Sequence, residues 1–134
     1  MHRTTFFVLL LAAGLLLAAC GGGGPQPTPT PFGDPTAGRQ AFLATCVACH
    51  GQEGMGVPGL GKDLTTSEFL HTQTDEQMLA FLIAGRPASD PLNTTGVDMP
   101  PRGGNPVFTD RGGNPVFTDT DLKNIVSYLR TLVP

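Results

Sequence analysis

The stretch Cys46-Val47-Ala48-Cys49-His50, CVACH, decides how this chain is read. Two thiols stand three positions apart, and an imidazole follows the second directly. The only other cysteine is Cys20, so no disulfide framework is available. A zinc site would need two more Cys or His ligands at matching spacing, and the body of the chain offers only His71. A thioredoxin-like redox pair would need a strand–helix setting, which the flanking sequence lacks.

Outward from the motif, the pattern is helical. The segment DPTAGRQAFLATCVACH opens with Asp34 as N-cap and Pro35 at the first helical position. Ala37, Ala41, Phe42 and Thr45 then share one face. A second helix is marked by TDEQMLAFLIAG, where Thr74 and Gln77 form a capping box and Gly85 is the stop. A third starts at Thr118, with Asp119 and Asp121 in its positive first turn and Arg130 in its last. Its apolar positions, Leu122, Ile125, Val126, Leu129 and Leu132, follow helical spacing. A short turn of helix is predicted near Ser67 to Leu70. No alternating strand pattern occurs, so the fold class is all-α, with three to four short helices and long loops. Helices this few in about 100 residues bury only a thin core.

CVACH supplies something to fill the centre, because C-x-x-C-H is the attachment signature of a c-type haem. Two thiols on consecutive helical turns each form a thioether with one vinyl group of the same porphyrin. The next residue, His50, then reaches the iron. The predicted cofactor is one covalent haem c on Cys46 and Cys49. For the sixth iron ligand the residues offer Met55, Met78, Met99 and His71. Met55 follows His50 too closely, and Met78 lies in a strongly apolar helix where methionine usually fills core. His71 would give a bis-histidine iron of lower potential.

The N-terminus carries targeting signals. Residues 1–19 combine Arg3 with the apolar run FFVLLLAAGLLLAA, too short for a comfortable membrane span. The run ends in LAAC, which resembles the bacterial lipobox and predicts lipid attachment at Cys20. A diacylglyceryl group has two chains, enough for stable anchoring. Residues 20–33 then read as a Gly/Pro-rich tether with almost no apolar surface to bury. The expected location is the outer face of a bacterial membrane, periplasmic or at the cell surface. A net charge of −3, with 8 basic and 11 acidic residues, argues against a nucleic-acid partner.

Residues 34–134 resemble the class I bacterial cytochromes c. Gly38, Phe42, Cys46, Cys49 and His50 stand in the family's spacing, and Ile125 and Tyr128 occupy the last helix. The resemblance implies a small cytochrome c fold around the haem, with Gly38 and Phe42 packed against Ile125 and Tyr128. It implies that a proline-containing loop, here at Pro58, offers the carbonyl that accepts the His50 N–H. Leu60 is expected to pack on the haem. It places the axial methionine at Met99, in GVDMPP, where proline follows as in the family.

One feature departs from that pattern. RGGNPVFTD occurs at 102–110 and again, identically, at 111–119. Removing either copy leaves a family-like passage, which points to a local duplication with the first copy as a surface loop. Phe108 is then partly exposed or covers the haem rim. Only the second copy runs into the last helix.

The function implied is one-electron transfer without substrate chemistry of its own, since two axial ligands leave no easy substrate position and no separate acid/base pair is present. The expected partners are a quinol-oxidising complex, a terminal oxidase, a reductase or a photosynthetic reaction centre. The alternative is a fixed haem c subunit of a larger membrane-bound oxidoreductase, which would co-purify stoichiometrically. A haem enzyme or gas sensor would instead show an open sixth site.

Overall fold

In the computed structural model, residues 31–104 and 117–133 are described. The expected signal, Cys20, most of the tether and most of the duplicated segment, including Phe108, lie outside them.

The first helix, α1 (Pro35–Thr45), begins where the sequence predicts. The Asp34 carboxylate accepts from the Thr36 N–H at 2.8 Å and the Ala37 N–H at 3.4 Å, satisfying donors that no helix can pair internally. Cys46 caps α1 and leads into a single further turn, α2 (Val47–His50). Ser67 caps α3 (Glu68–Thr72), and Thr74 with Gln77 forms the predicted capping box of α4 (Asp75–Ala84). Gly85 ends α4 at a φ of 68°, a backbone region open to glycine. After a 3₁₀ turn at Pro101–Gly103, the last helix, α5 (Asp119–Leu132), starts from Thr118. The second copy of the repeat therefore supplies its N-cap. Asp121 closes a capping box with Thr118, and the Thr118 hydroxyl holds the Asp121 carboxyl below the usual carboxylate range.

α1 and α5 make the most extensive helix–helix contact among the described residues. The reason is Gly38. A Cβ there would run into the Asn124 carbonyl and come within 2.9 Å of the Tyr128 Cβ, so only glycine lets the two backbones cross this closely. Phe42 and Tyr128 stack beside the crossing, with ring centroids 5.3 Å apart at 59°. Around them lie Leu122, Ile125, Val126 and Leu129, all buried. The chain enters this packing on one fixed path: the Asp34 amide donates to Asn124 Oδ1 at 2.9 Å, and Gly33 sits against the Lys123 carbonyl.

Arg130 ties α5 to the other helices. Its guanidinium donates to Asp75 at 2.8 Å, to the Gln73 carbonyl at 2.7 Å and to the Leu70 carbonyl. It thus satisfies carbonyls at the end of α3 and pairs with an acid in the first turn of α4. The sequence suggested only a favourable charge at a helix terminus. Across the repeat, Arg102 donates to the Phe117 carbonyl at 3.2 Å and pairs with Asp119 at 2.7 Å, so the described flanks of the duplication are held together. Among the described residues no strand is present, and no helix is long and apolar enough to cross a membrane. The all-α expectation holds.

Candidate haem site

The helices leave a cavity of about 200 Å³ between CVACH on one side and the 86–100 segment on the other. Cys46, Cys49, His50 and Met99 all form part of its wall. A smaller lobe of about 60 Å³ continues inward between Phe42, Leu70, Met78, Ile125 and Leu129. Both lobes share Cys46, His50, Leu64, Phe69, Phe81 and Met99, so they are two depths of one cleft.

Burial pushes the Cys46 thiol up to about 11. In a chain without attached haem, Cys46 therefore stays a neutral thiol across the physiological range.

His50 is oriented by the main chain. Its Nδ1 lies 2.9 Å from the Lys62 carbonyl oxygen. A carbonyl only accepts, so Nδ1 carries the proton and Nε2 keeps its lone pair. That is the tautomer a metal needs, and the bond fixes the ring's orientation. The accepting carbonyl is Lys62, not Pro58, which corrects the expectation from sequence. The cause is the path of the turn. The Val57 N–H sits 3.0 Å from the Cys49 carbonyl and 3.1 Å from that of Gly61, which pinches the chain into a bridge. Residues 58–60 form the tip beyond the pinch, and Pro58 is exposed there, off the cavity wall. The chain returns at Gly61, packed so tightly on Cys49 that a Cβ would strike the Cys49 carbonyl. The next residue, Lys62, then meets the imidazole. Leu60 does reach the cavity, at its mouth and 45% exposed. Behind Lys62, hydrogen bonds from Thr65 hold the Asp63 carboxyl below its ordinary range and fix the segment.

Of the sulfur and imidazole candidates, the structure brings two to the cleft. Met99 lines both lobes, whereas Met78 is buried and reaches only the inner one. Met55 is 63% exposed, and His71 is exposed on α3; neither forms part of the wall. Met99 is held by a two-bond bridge to Arg86, with N–H to carbonyl distances of 2.8 Å in both directions.

Arg86 is a wall residue that the sequence did not single out. Its guanidinium carbon stands 4.9 Å from the Phe69 centroid and 4.8 Å from that of Phe81, gripped by two rings that are themselves 4.9 Å apart. Asp90 lies 3.4 Å from its Nε, yet that buried nitrogen makes no hydrogen bond. Its Nη1 donates to the Leu92 carbonyl at 3.4 Å, so the charge beside the cleft is held by two aromatic faces together with that carbonyl and the nearby Asp90. The only signal in the sequence was a lone arginine between an apolar helix and a long loop.

These residues fit a porphyrin. Two thiols sit on one rim, an imidazole with a free lone pair and a thioether sulfur share the same space, and aromatic and aliphatic side chains line most of the rest. The family described as Cytochrome c matches residues 35–133. No curated protein and no solved structure matches the chain.

Proposed function

The chain belongs to the cytochrome c family, and from that premise we propose that Cys46 and Cys49 would bind its haem c, that His50 and Met99 would ligate the iron, and that the carrier works from a lipid anchor. Haem c as cofactor and electron carriage as role follow from the family itself. When bound, the haem supplies one-electron iron chemistry, and the protein supplies orientation, shielding and electrostatics.

Cys46 and Cys49 hold the group by thioethers. His50 would offer Nε2, with its ring oriented by the Lys62 carbonyl on the other nitrogen. Met99 offers a soft, neutral sulfur, which favours the ferrous state and a moderately positive potential. Phe69, Phe81 and Leu64 keep water from the interior, while Leu60 and Leu92 leave an apolar edge at the mouth. With His50 and Met99 both ligating the iron, no open position would remain for a substrate, which favours a carrier over an enzyme.

The observation that carries this reading is the meeting of all four ligating side chains on one cleft, with His50 Nδ1 already engaged by Lys62. Optical spectra of the oxidised mature protein test it. A thioether–iron charge-transfer band is expected, absent in Met99→Ala, with pigment that acid–organic extraction cannot remove. A bis-histidine spectrum, or extractable pigment, overturns it.

The anchor at Cys20 rests on the LAAC sequence and on the near-absence of basic residues around it. Such a tether confines the search for partners to the membrane surface, which suits a quinol-oxidising complex as donor and an oxidase, reductase or reaction centre as acceptor. Cys20→Ser should release the pigmented protein from membranes into the soluble fraction. Retention in the membrane overturns lipid anchoring and leaves the haem assignment standing.

A further inference from the structure

The segment that carries Met99 leaves Arg86, loops out, and returns to pair with it. An antiparallel pair normally continues as a ladder of main-chain bonds. Here it stops after one bridge: the next hydrogen-bonded pair would be Ala88 with Val97, and that pair does not form. The loop must be closed by other groups.

Those groups are side chains, and Asn93 makes most of the bonds. Its Nδ2 donates to the Pro87 carbonyl at 3.1 Å and to the Val97 carbonyl at 2.8 Å, linking the outgoing and returning strands of the loop. Its Oδ1 accepts from the Thr95 N–H at 3.0 Å, the Thr95 hydroxyl at 3.1 Å and the Gly96 N–H at 2.9 Å. One amide thus uses both donors and both lone pairs. The Ala88 N–H, which a regular ladder would give to a carbonyl, goes to Asp98 Oδ1 at 2.5 Å.

We infer that Asn93 is a positioning residue for the iron: its amide N–H groups stand in for the missing Ala88–Val97 rung by taking the Val97 and Pro87 carbonyls, and so hold the Met99 thioether in place. This rests on Met99 as axial ligand. Asn93 touches neither metal nor haem in this argument; it acts through the two strands that end at Met99. The oxygen side of the amide only shapes the 93–96 turn. The nitrogen side crosses the loop and governs whether Met99 stays bound.

Imidazole titration of the oxidised holoprotein, followed at the thioether–iron band, tests this. Imidazole competes with Met99 for iron, so its apparent affinity reports how firmly the sulfur is held. Losing two neutral hydrogen bonds should raise that affinity about tenfold in Asn93→Ala. Asn93→Asp keeps the shape and the accepting oxygen but removes both donors, so it should match Ala in direction and size. Ser89→Ala, an exposed position in the same loop whose hydroxyl makes no hydrogen bond among the described residues, should leave the titration unchanged. Overall stability, measured by denaturation of the ferrous protein, should move less than the imidazole affinity. If Asn93→Ala does not fold, Asn93→Asp answers alone. An Asn93→Asp protein that binds imidazole as the unsubstituted chain does overturns the inference, as does an equal response from Ser89→Ala. Survival of the band in Met99→Ala would instead overturn the ligand assignment beneath it.

Discussion

The two sides of the cleft are built from different material. On the His50 side, main chain bonds to main chain: Gly56 N–H to the His50 carbonyl at 2.8 Å, Val57 to Cys49 at 3.0 Å, Leu64 to Gly54 at 2.7 Å. On the Met99 side, beyond the main-chain bridge to Arg86 the loop has two main-chain turn bonds, Asp90 N–H to the Pro87 carbonyl at 3.0 Å and Asn93 N–H to that of Asp90 at 2.8 Å, and its remaining closure comes from bonds made by the Asn93 side chain or accepted by Asp98 and Asp90. Main-chain bonds survive most substitutions, because every residue but proline carries the same groups. Side-chain bonds do not. The comparison teaches that the turn on the imidazole side is set mainly by main chain and close packing, whereas the 87–98 loop on the thioether side depends on its own side-chain bonds.

The contrast can be broken most sharply at Gly61. Gly61→Val pushes a branched side chain against the Cys49 carbonyl. It should cost about 3 kcal/mol or more, at the upper end of overpacking, and a denaturant midpoint measures it. A loss below about 1 kcal/mol would show that the turn yields, and the contrast fails.

Next in size is Asp98→Ala on the other side, which strands the Ala88 N–H. About 1 kcal/mol is expected, read as faster amide exchange of the 86–99 segment while the 50–64 segment is unchanged. Equal acceleration on both sides would erase the distinction.

Removing Gly103 to Arg111 shortens the duplicated segment yet regenerates RGGNPVFTD at the joint. Arg102 keeps its partners Phe117 and Asp119. Loop closure should become easier by roughly 0.6 kcal/mol, seen as a small rise in melting temperature with the thioether–iron band intact. Loss of the band would mean that the Met99 side depends on the extra length.

The smallest effect belongs to Lys62→Gln. It keeps the carbonyl that faces His50, so stability should change by less than about 0.5 kcal/mol. The His50 ring resonances should hold their positions.

The same contrast explains what the sequence disclosed. Helix starts were legible because capping is local: Asp34, Thr74 and Thr118 each announce a terminus within four residues. Cys46, Cys49 and His50 stood out because the C-x-x-C-H spacing is local, and the structure brings all three to one cavity wall. Gly38 was legible through the resemblance, and its reason became visible only against Asn124. Lys62 was hidden, since a carbonyl leaves no mark on residue type. Asn93 and Arg86 were hidden because their partners lie across a loop whose path no period encodes. Pro58 misled for a related reason: its ring sets a turn, but the bond to His50 falls after the turn has closed.

The fixed entry of the chain at Gly33 and Asp34 has a mechanical consequence. A pull arriving along the preceding segment meets the Asn124 contact and the crossing of α1 with α5 first. The thiols lie at the far end of α1, an eleven-residue rod of about 16 Å. A load applied there would therefore be taken up at the root of α1, away from the thiols at its other end.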